Sequence, residues 1–153
     1  MPKAVISKPG ELTLDEALCF ALYSASRALT GFYRPLLDEL GITYPQYLVL
    51  LALWERDGVA VRALAERLRL DYGTLSPLLK RLQAAGLITR ERRAEDERSV
   101  TVALTAAGRS LRARDDCIPE EVVAATGLDT RSFEELRETL QRLTAAVTAA
   151  SAG

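Results

Sequence analysis

The chain has no histidine and only two cysteines, Cys19 and Cys117, among its 153 residues. Without histidine the commonest general acid/base is missing, and with no C-x-x-C pair a zinc site is not expected. No metal, cofactor or catalytic constellation is therefore assigned. Two cysteines 98 positions apart are too few for the disulfide framework that staples small secreted domains. No apolar run reaches the ~18 residues of a membrane span, and residues 1–10 (MPKAVISKPG) lack a signal peptide's apolar stretch and cleavage pattern. The expected setting is the cytoplasm, with no membrane partner. Net charge is scarce too, at −1 overall. Its distribution is uneven: between Arg62 and Arg98 nine Lys/Arg stand against six Asp/Glu, a local +3 that leaves −4 on the rest. Taken alone, that excess marks no more than a solvated face.

What is present is apolar periodicity. With 48% hydrophobic residues the chain can build the core of one or two modest domains. From Val61 to Gly108 the pattern reads helix, turn, helix and then hairpin. Leu75, Leu78, Leu79 and Leu82 fall at i, i+3, i+4 and i+7, one buried stripe of a helix that Gly86 ends. Gly73, Ser76, Pro77, Lys80 and Ala84 lie on the opposite face, flanked by Thr74 and Arg81. Small residues with hydroxyls and two cations can approach base edges and hold phosphates. Either Asp71 or Thr74 can cap this helix; Asp71 leaves Pro77 six residues inside, whereas Thr74 puts it in the tolerant first turn. Beyond Gly86 the period switches to two, and Leu87 to Arg93 is expected to pair with Arg98 to Leu104. The tip, residues 94–97, is flanked by Arg90, Arg92, Arg93 and Arg98. Arg62 to Leu68 supplies the first helix of the pair. The fold class expected is mainly α with a small β-hairpin wing (α+β), a winged helix-turn-helix that reads DNA.

Elsewhere the pattern is helical. Thr13 and Glu16 fit a capping box for a long helix carrying Leu18, Leu22, Ala25, Leu29, Phe32 and Leu36 at coiled-coil spacing as far as Gly41. Pro35 is expected to kink or interrupt it. Pro45 to Arg56 is apolar almost all round and expected to be buried. Thr105 caps a helix running to about Cys117, Pro119 opens a short one closed by Gly127, and Asp129 starts a last one with Phe133, Leu136, Leu140, Leu143 and Val147 in a seam. Seams at both ends predict a homodimer. Residues 1–44 and 105–153 are assigned to helical dimerisation and residues 45–104 to the winged helix-turn-helix. Two reading heads suit a palindromic operator in double-stranded DNA with half-sites about one turn apart.

Residues 70–82 (LDYGTLSPLLKRL), 86–90 (GLITR) and 96–108 (DERSVTVALTAAG) closely resemble the MarR family of bacterial repressors. Residues 18–23 (LCFALY), 32–36 (FYRPL) and 43–47 (TYPQY) resemble its organic-hydroperoxide-sensing OhrR branch. The resemblance implies that Arg98 at the wing tip enters the minor groove with Asp96 orienting it, and that the helix from Tyr72 to Arg81 lies in the major groove. The DNA-binding set is then Tyr72, Thr74, Ser76, Pro77, Lys80, Arg81, Arg90, Asp96 and Arg98. Arginine suits the negative potential of a narrow minor groove.

The same resemblance makes Cys19 the redox-sensing thiol and places the hydroxyls of Tyr33 and Tyr44 beside it. Read from the residues alone, Cys19 fits a small buried hydrophobe as well. Asp15 and Glu16 lie one turn back and no Lys, Arg or His stands at i±3 or i±4, so local charge does not favour a thiolate. Tyr33 is 14 residues along the same helix, ~21 Å away, and can meet Cys19 only across two subunits. By resemblance, an organic hydroperoxide oxidises Cys19 to a sulfenic acid, which condenses with Cys117 as resolving thiol or with a small cellular thiol. Cys117 as a buried spectator stays open. The adduct shifts the first helix and releases the operator. Two alternatives stand beside this reading: a thiol peroxidase, and a MarR-type repressor that binds a small aromatic ligand non-covalently while Cys19 is inert.

Overall fold

The structure is a computed structural model that describes residues 10–92 and 99–153. The expected wing tip, including Arg93, Asp96 and Arg98, lies outside the described residues. The chain divides into two compact units, one ending at Ala113 and one spanning Arg114–Gly153. No helix of the described residues is long and apolar enough to cross a membrane.

The first unit opens with a turn, not the expected helix start. Glu16 accepts from the Thr13 N–H at 3.1 Å and from its hydroxyl at 2.9 Å, but the Glu16 N–H goes to the Thr13 carbonyl. The hydroxyl is spent as a donor on the carboxylate. Helix α1 then runs over Leu18–Asp38 behind an extended Ala17. Pro35 lies inside it without interrupting it. The carbonyl that Pro35 leaves unpaired belongs to Gly31, four residues back, which is exposed to water and carries no side chain to resist tilting.

Helix α2, Tyr44–Glu55, has the reciprocal cap that the chain's start does not. The Thr43 N–H donates to Gln46 Oε1 at 2.9 Å and the Gln46 N–H to Thr43 Oγ1 at 3.4 Å. Tyr47, Val49, Leu50 and Leu53 are buried, and α2 packs on α1. Contrary to the expectation of all-round burial, Leu51 is 38% exposed.

Strand β1, Val59–Ala60, leads into α3, Val61–Leu68, which packs on α2. Arg69 turns the chain in the left-handed region (φ 56°), and α4 follows over Tyr72–Ala84 with Leu75, Leu78, Leu79 and Leu82 buried as expected. Strands β2, Ile88–Arg92, and β3, Val100–Leu104, pair antiparallel with Ile88 opposite Leu104. The two-residue β1 adds to the other edge of β3, giving the order β1-β3-β2. Helix α5, Ala106–Leu111, and a 3-10 turn over Arg112–Arg114 fall short of the expected helix to Cys117.

The base of the hairpin is fixed by two anchors from the end of α2. Asp57 Oδ1 accepts the Leu104 N–H at 2.8 Å and Oδ2 pairs with Arg109 at 3.1 Å. Trp54 Nε1 donates to the Gly108 carbonyl at 2.9 Å. Gly108 is required by space: a Cβ there would stand 2.1 Å from the Leu87 carbonyl oxygen, itself the acceptor of the Thr105 N–H. Gly108→Ala is expected to cost about 1–3 kcal/mol through overpacking, lowering the thermal midpoint by roughly 2 °C or more. An unchanged melting curve by circular dichroism contradicts that contact.

The second unit holds α6, Ile118–Ala125, and α7, Thr130–Ala152. Pro119 stands in the first turn of α6, and Asp129 caps α7 by accepting the Ser132 N–H at 2.7 Å. Leu136, Leu140 and Val147 on α7 are exposed.

Candidate DNA-binding face and thiol–tyrosine site

The open choice of cap for α4 falls to Asp71, whose Oδ1 accepts the Thr74 N–H at 2.7 Å. Pro77 therefore sits inside the helix, and the carbonyl it leaves unpaired is again that of an exposed glycine, Gly73. The backbone N–H and hydroxyl of Thr74 hold the Asp71 carboxyl below its ordinary value. A depressed carboxyl contributes stability above its unfolded pKa of about 3.9 and loses it as pH falls through the lower folded value. Asp71→Ala is expected to lower stability at neutral pH through loss of the cap, with the gap to wild type closing below about pH 4. Denaturant midpoints against pH check this; a gap constant with pH contradicts it.

With Asp71 as cap, α4 turns a polar face to solvent. Tyr72 is 66% exposed; Thr74, Pro77, Lys80 and Arg81 are exposed and Ser76 half-buried. Neither Lys80 nor Arg81 is engaged in an ion pair among the described residues. A groove of about 490 Å³ separates the start of α4 from the hairpin, with Arg62, Tyr72, Ser99 and Val100 on its walls. Arg90 donates from Nε to Gln83 Oε1 at 2.7 Å, so it ties β2 to α4. The Arg67–Glu55 pair at 2.9 Å holds α3 to α2 in the same way. Asp96 and Arg98, the expected minor-groove pair, lie outside the described residues.

Cys19 is the second residue of α1, free and exposed in the single chain. Leu18, Phe20, Leu22, Leu29 and Phe32 of the same helix are also exposed. Tyr33 and Tyr44 meet within one chain, with ring centroids 5.1 Å apart. Burial raises the Tyr44 phenol above its ordinary value, which keeps it a neutral donor. Beside it a cleft of about 390 Å³ has Arg34, Thr43 and Tyr44 in its wall. The tyrosine pair and Cys19 stand at opposite parts of α1, roughly 21 Å apart along the helix. Cys117 is free and exposed at the N-cap of α6, in the second unit.

Sequence reasoning passed over three residues. Tyr23 follows Cys19 by one turn and accepts from Arg27 Nη1 at 3.0 Å, with the guanidinium 5.5 Å from the ring centroid. A phenol and a cation thus stand one and two turns beyond the thiol, at i+4 and i+8 spacings that were legible in the sequence. The third, Tyr47, lies 5.7 Å from Tyr33 and edge-on to Trp54 at 6.2 Å.

An exposed polar helix on a helix-turn-helix, flanked by a hairpin, defines a winged-helix DNA-binding regulator. Residues 31–114 match the family model for the SarA/Rot transcriptional regulators. The chain is 48% identical over 132 residues to the organic hydroperoxide resistance transcriptional regulator of Bacillus subtilis strain 168, covering 86% of this chain and 88% of that one. The chain belongs to the MarR family of transcriptional regulators. Reduced AbfR bound to DNA is 38% identical, with 85% of this chain and 93% of that chain aligned at a TM-score of 0.67. AbfR, from Staphylococcus epidermidis, has also been solved overoxidised on DNA and in a disulfide-formed state. The Streptomyces coelicolor regulator PcaV shares the fold, with a TM-score of 0.80 over 91% of this chain and 99% of its own at 23% identity.

Proposed function

We propose that the protein is a homodimeric repressor that holds a palindromic operator when reduced and releases it when an organic hydroperoxide oxidises Cys19. The observation that carries this reading is an exposed thiol at the start of α1, in the same chain as a preassembled Tyr33–Tyr44 pair that its own thiol cannot reach. Antiparallel crossing of two α1 helices brings each Cys19 to the partner's phenols and covers Leu18, Leu22, Leu29 and Phe32. Residues 1–44 and 105–153 then serve dimerisation and residues 45–104 DNA binding, and the site of action is the cytoplasm.

In the chemical step the Cys19 thiolate attacks the distal peroxide oxygen, the O–O bond breaks, and the alkoxide leaves and takes a proton. Sulfur is oxidised by two electrons to a sulfenic acid and the hydroperoxide is reduced to its alcohol. The sulfenic acid condenses with a second thiol, either Cys117 or a small cellular thiol, with loss of water. Tyr33 and Tyr44 donate hydrogen bonds to the reduced sulfur, and the adduct displaces them. Tyr72, Thr74, Ser76, Pro77, Lys80 and Arg81 face the major groove, Arg90 supports the wing, and Asp96 and Arg98 serve its tip. The disulfide-formed and DNA-bound AbfR structures support this cycle.

Gel shifts with reduced protein, repeated after an organic hydroperoxide and again after a reductant, test the reading. Binding, release and rebinding are expected. Continued binding by protein whose Cys19 has been carried to the disulfide adduct overturns it.

A further inference from the structure

Helix α2 reaches from the tyrosine pair to the base of the hairpin, a span of roughly 15 Å between Tyr44 and Trp54. A row of contacts runs the whole way. Tyr44 meets Tyr33 at 5.1 Å, Tyr33 meets Tyr47 at 5.7 Å, and Tyr47 meets Trp54 edge-on at 6.2 Å. Trp54 Nε1 then donates to the Gly108 carbonyl at 2.9 Å, while the Trp54 carbonyl accepts from Arg112 at 3.1 Å. Gly108 lies hard against the Leu87 carbonyl, where the hairpin begins.

The row joins rigid parts. Tyr47 is 2% exposed, and aromatic side chains carry few torsions to absorb a movement. Packed interiors pass displacement on instead of yielding. The hairpin's other anchor runs from Asp57 to Leu104 and Arg109. The hairpin base therefore has one tie that ends the aromatic row, at Trp54, and a second from Asp57.

We propose that Tyr47 and Trp54 are positioning residues that carry a displacement of the Tyr33–Tyr44 pair to the base of the wing, and so set how much DNA affinity is lost on oxidation. This rests on the thiol-switch reading above. Trp54→Phe keeps a ring against Tyr47 and deletes the donor to Gly108.

The test uses the full-length protein and a duplex selected by reduced wild type from a random pool, with tert-butyl hydroperoxide as oxidant. The readout is the ratio of oxidised to reduced Kd. Wild type is expected to weaken 5–150-fold, a normal range for coupling between two sites. Trp54→Phe is expected to keep the reduced Kd within about twofold while shrinking the ratio roughly threefold or more, the scale reported for residues that modulate coupling. Trp54 is the sole tryptophan, so in wild type its emission is expected to shift when Cys19 is oxidised, and in Cys19→Ser it is not. A wild-type ratio retained by Trp54→Phe, or wild-type emission unmoved by Cys19 oxidation, overturns the relay and leaves the thiol switch standing. Wild type that keeps its duplex with Cys19 in the disulfide adduct overturns both.

Discussion

Cys19→Ser is expected to bind the operator as tightly as reduced wild type and to ignore organic hydroperoxide, taking a 5–150-fold loss of affinity on oxidation to none. Serine keeps the size and a hydroxyl that can accept from the partner's phenols, but its oxygen cannot pass to the sulfenic state. Operator binding titrated against hydroperoxide for both proteins decides the matter. A Cys19→Ser protein that still lets go places the sensor elsewhere. If oxidised wild type lets go only when a small thiol is added, the resolving role belongs to that molecule and not to Cys117.

The second large effect is expected at Arg81, which stands on the exposed face of α4 with no ion pair among the described residues. Arg81→Ala is expected to weaken operator binding by roughly 1–3 kcal/mol if it reads a base edge, and selectively for operator over random duplex. Lys80→Ala is expected to weaken both alike and to lower the slope of log K against log salt by about 1, the behaviour of a phosphate contact. Equilibrium binding across a salt series separates the two. Wild-type affinity in Arg81→Ala removes α4 from the major groove.

How far the sequence reached depended on the range of the interaction. The leucine stripe of α4 was legible because amphipathicity is a local property with a fixed period, and the hairpin because the period changed from 3.6 to 2. The cap of α4 was not, since Asp71 and Thr74 both carry a suitable oxygen; the choice turns on Gly73, which lets Pro77 sit within the helix. The same pairing of glycine and proline four apart, Gly31 with Pro35, explains why α1 stays whole. Two S/T-x-x-E/Q signatures, Thr13 with Glu16 and Thr43 with Gln46, look alike in sequence, yet only the second caps a helix, because the Thr13 hydroxyl is turned onto the Glu16 carboxylate. Strand β1 has two residues, too short for any alternation. At the thiol site, Tyr33 and Tyr44 were reached through family resemblance, whereas the bond from Trp54 to Gly108 crosses 54 positions and becomes visible only in three dimensions.

The thiol switch is tested most directly by intact mass and operator binding on one and the same sample as hydroperoxide is added stepwise. The expected result is that bound DNA falls in proportion to the fraction of chains oxidised at Cys19, and that both return together on reduction. Chains fully converted to the Cys19 disulfide adduct that still hold the operator contradict it.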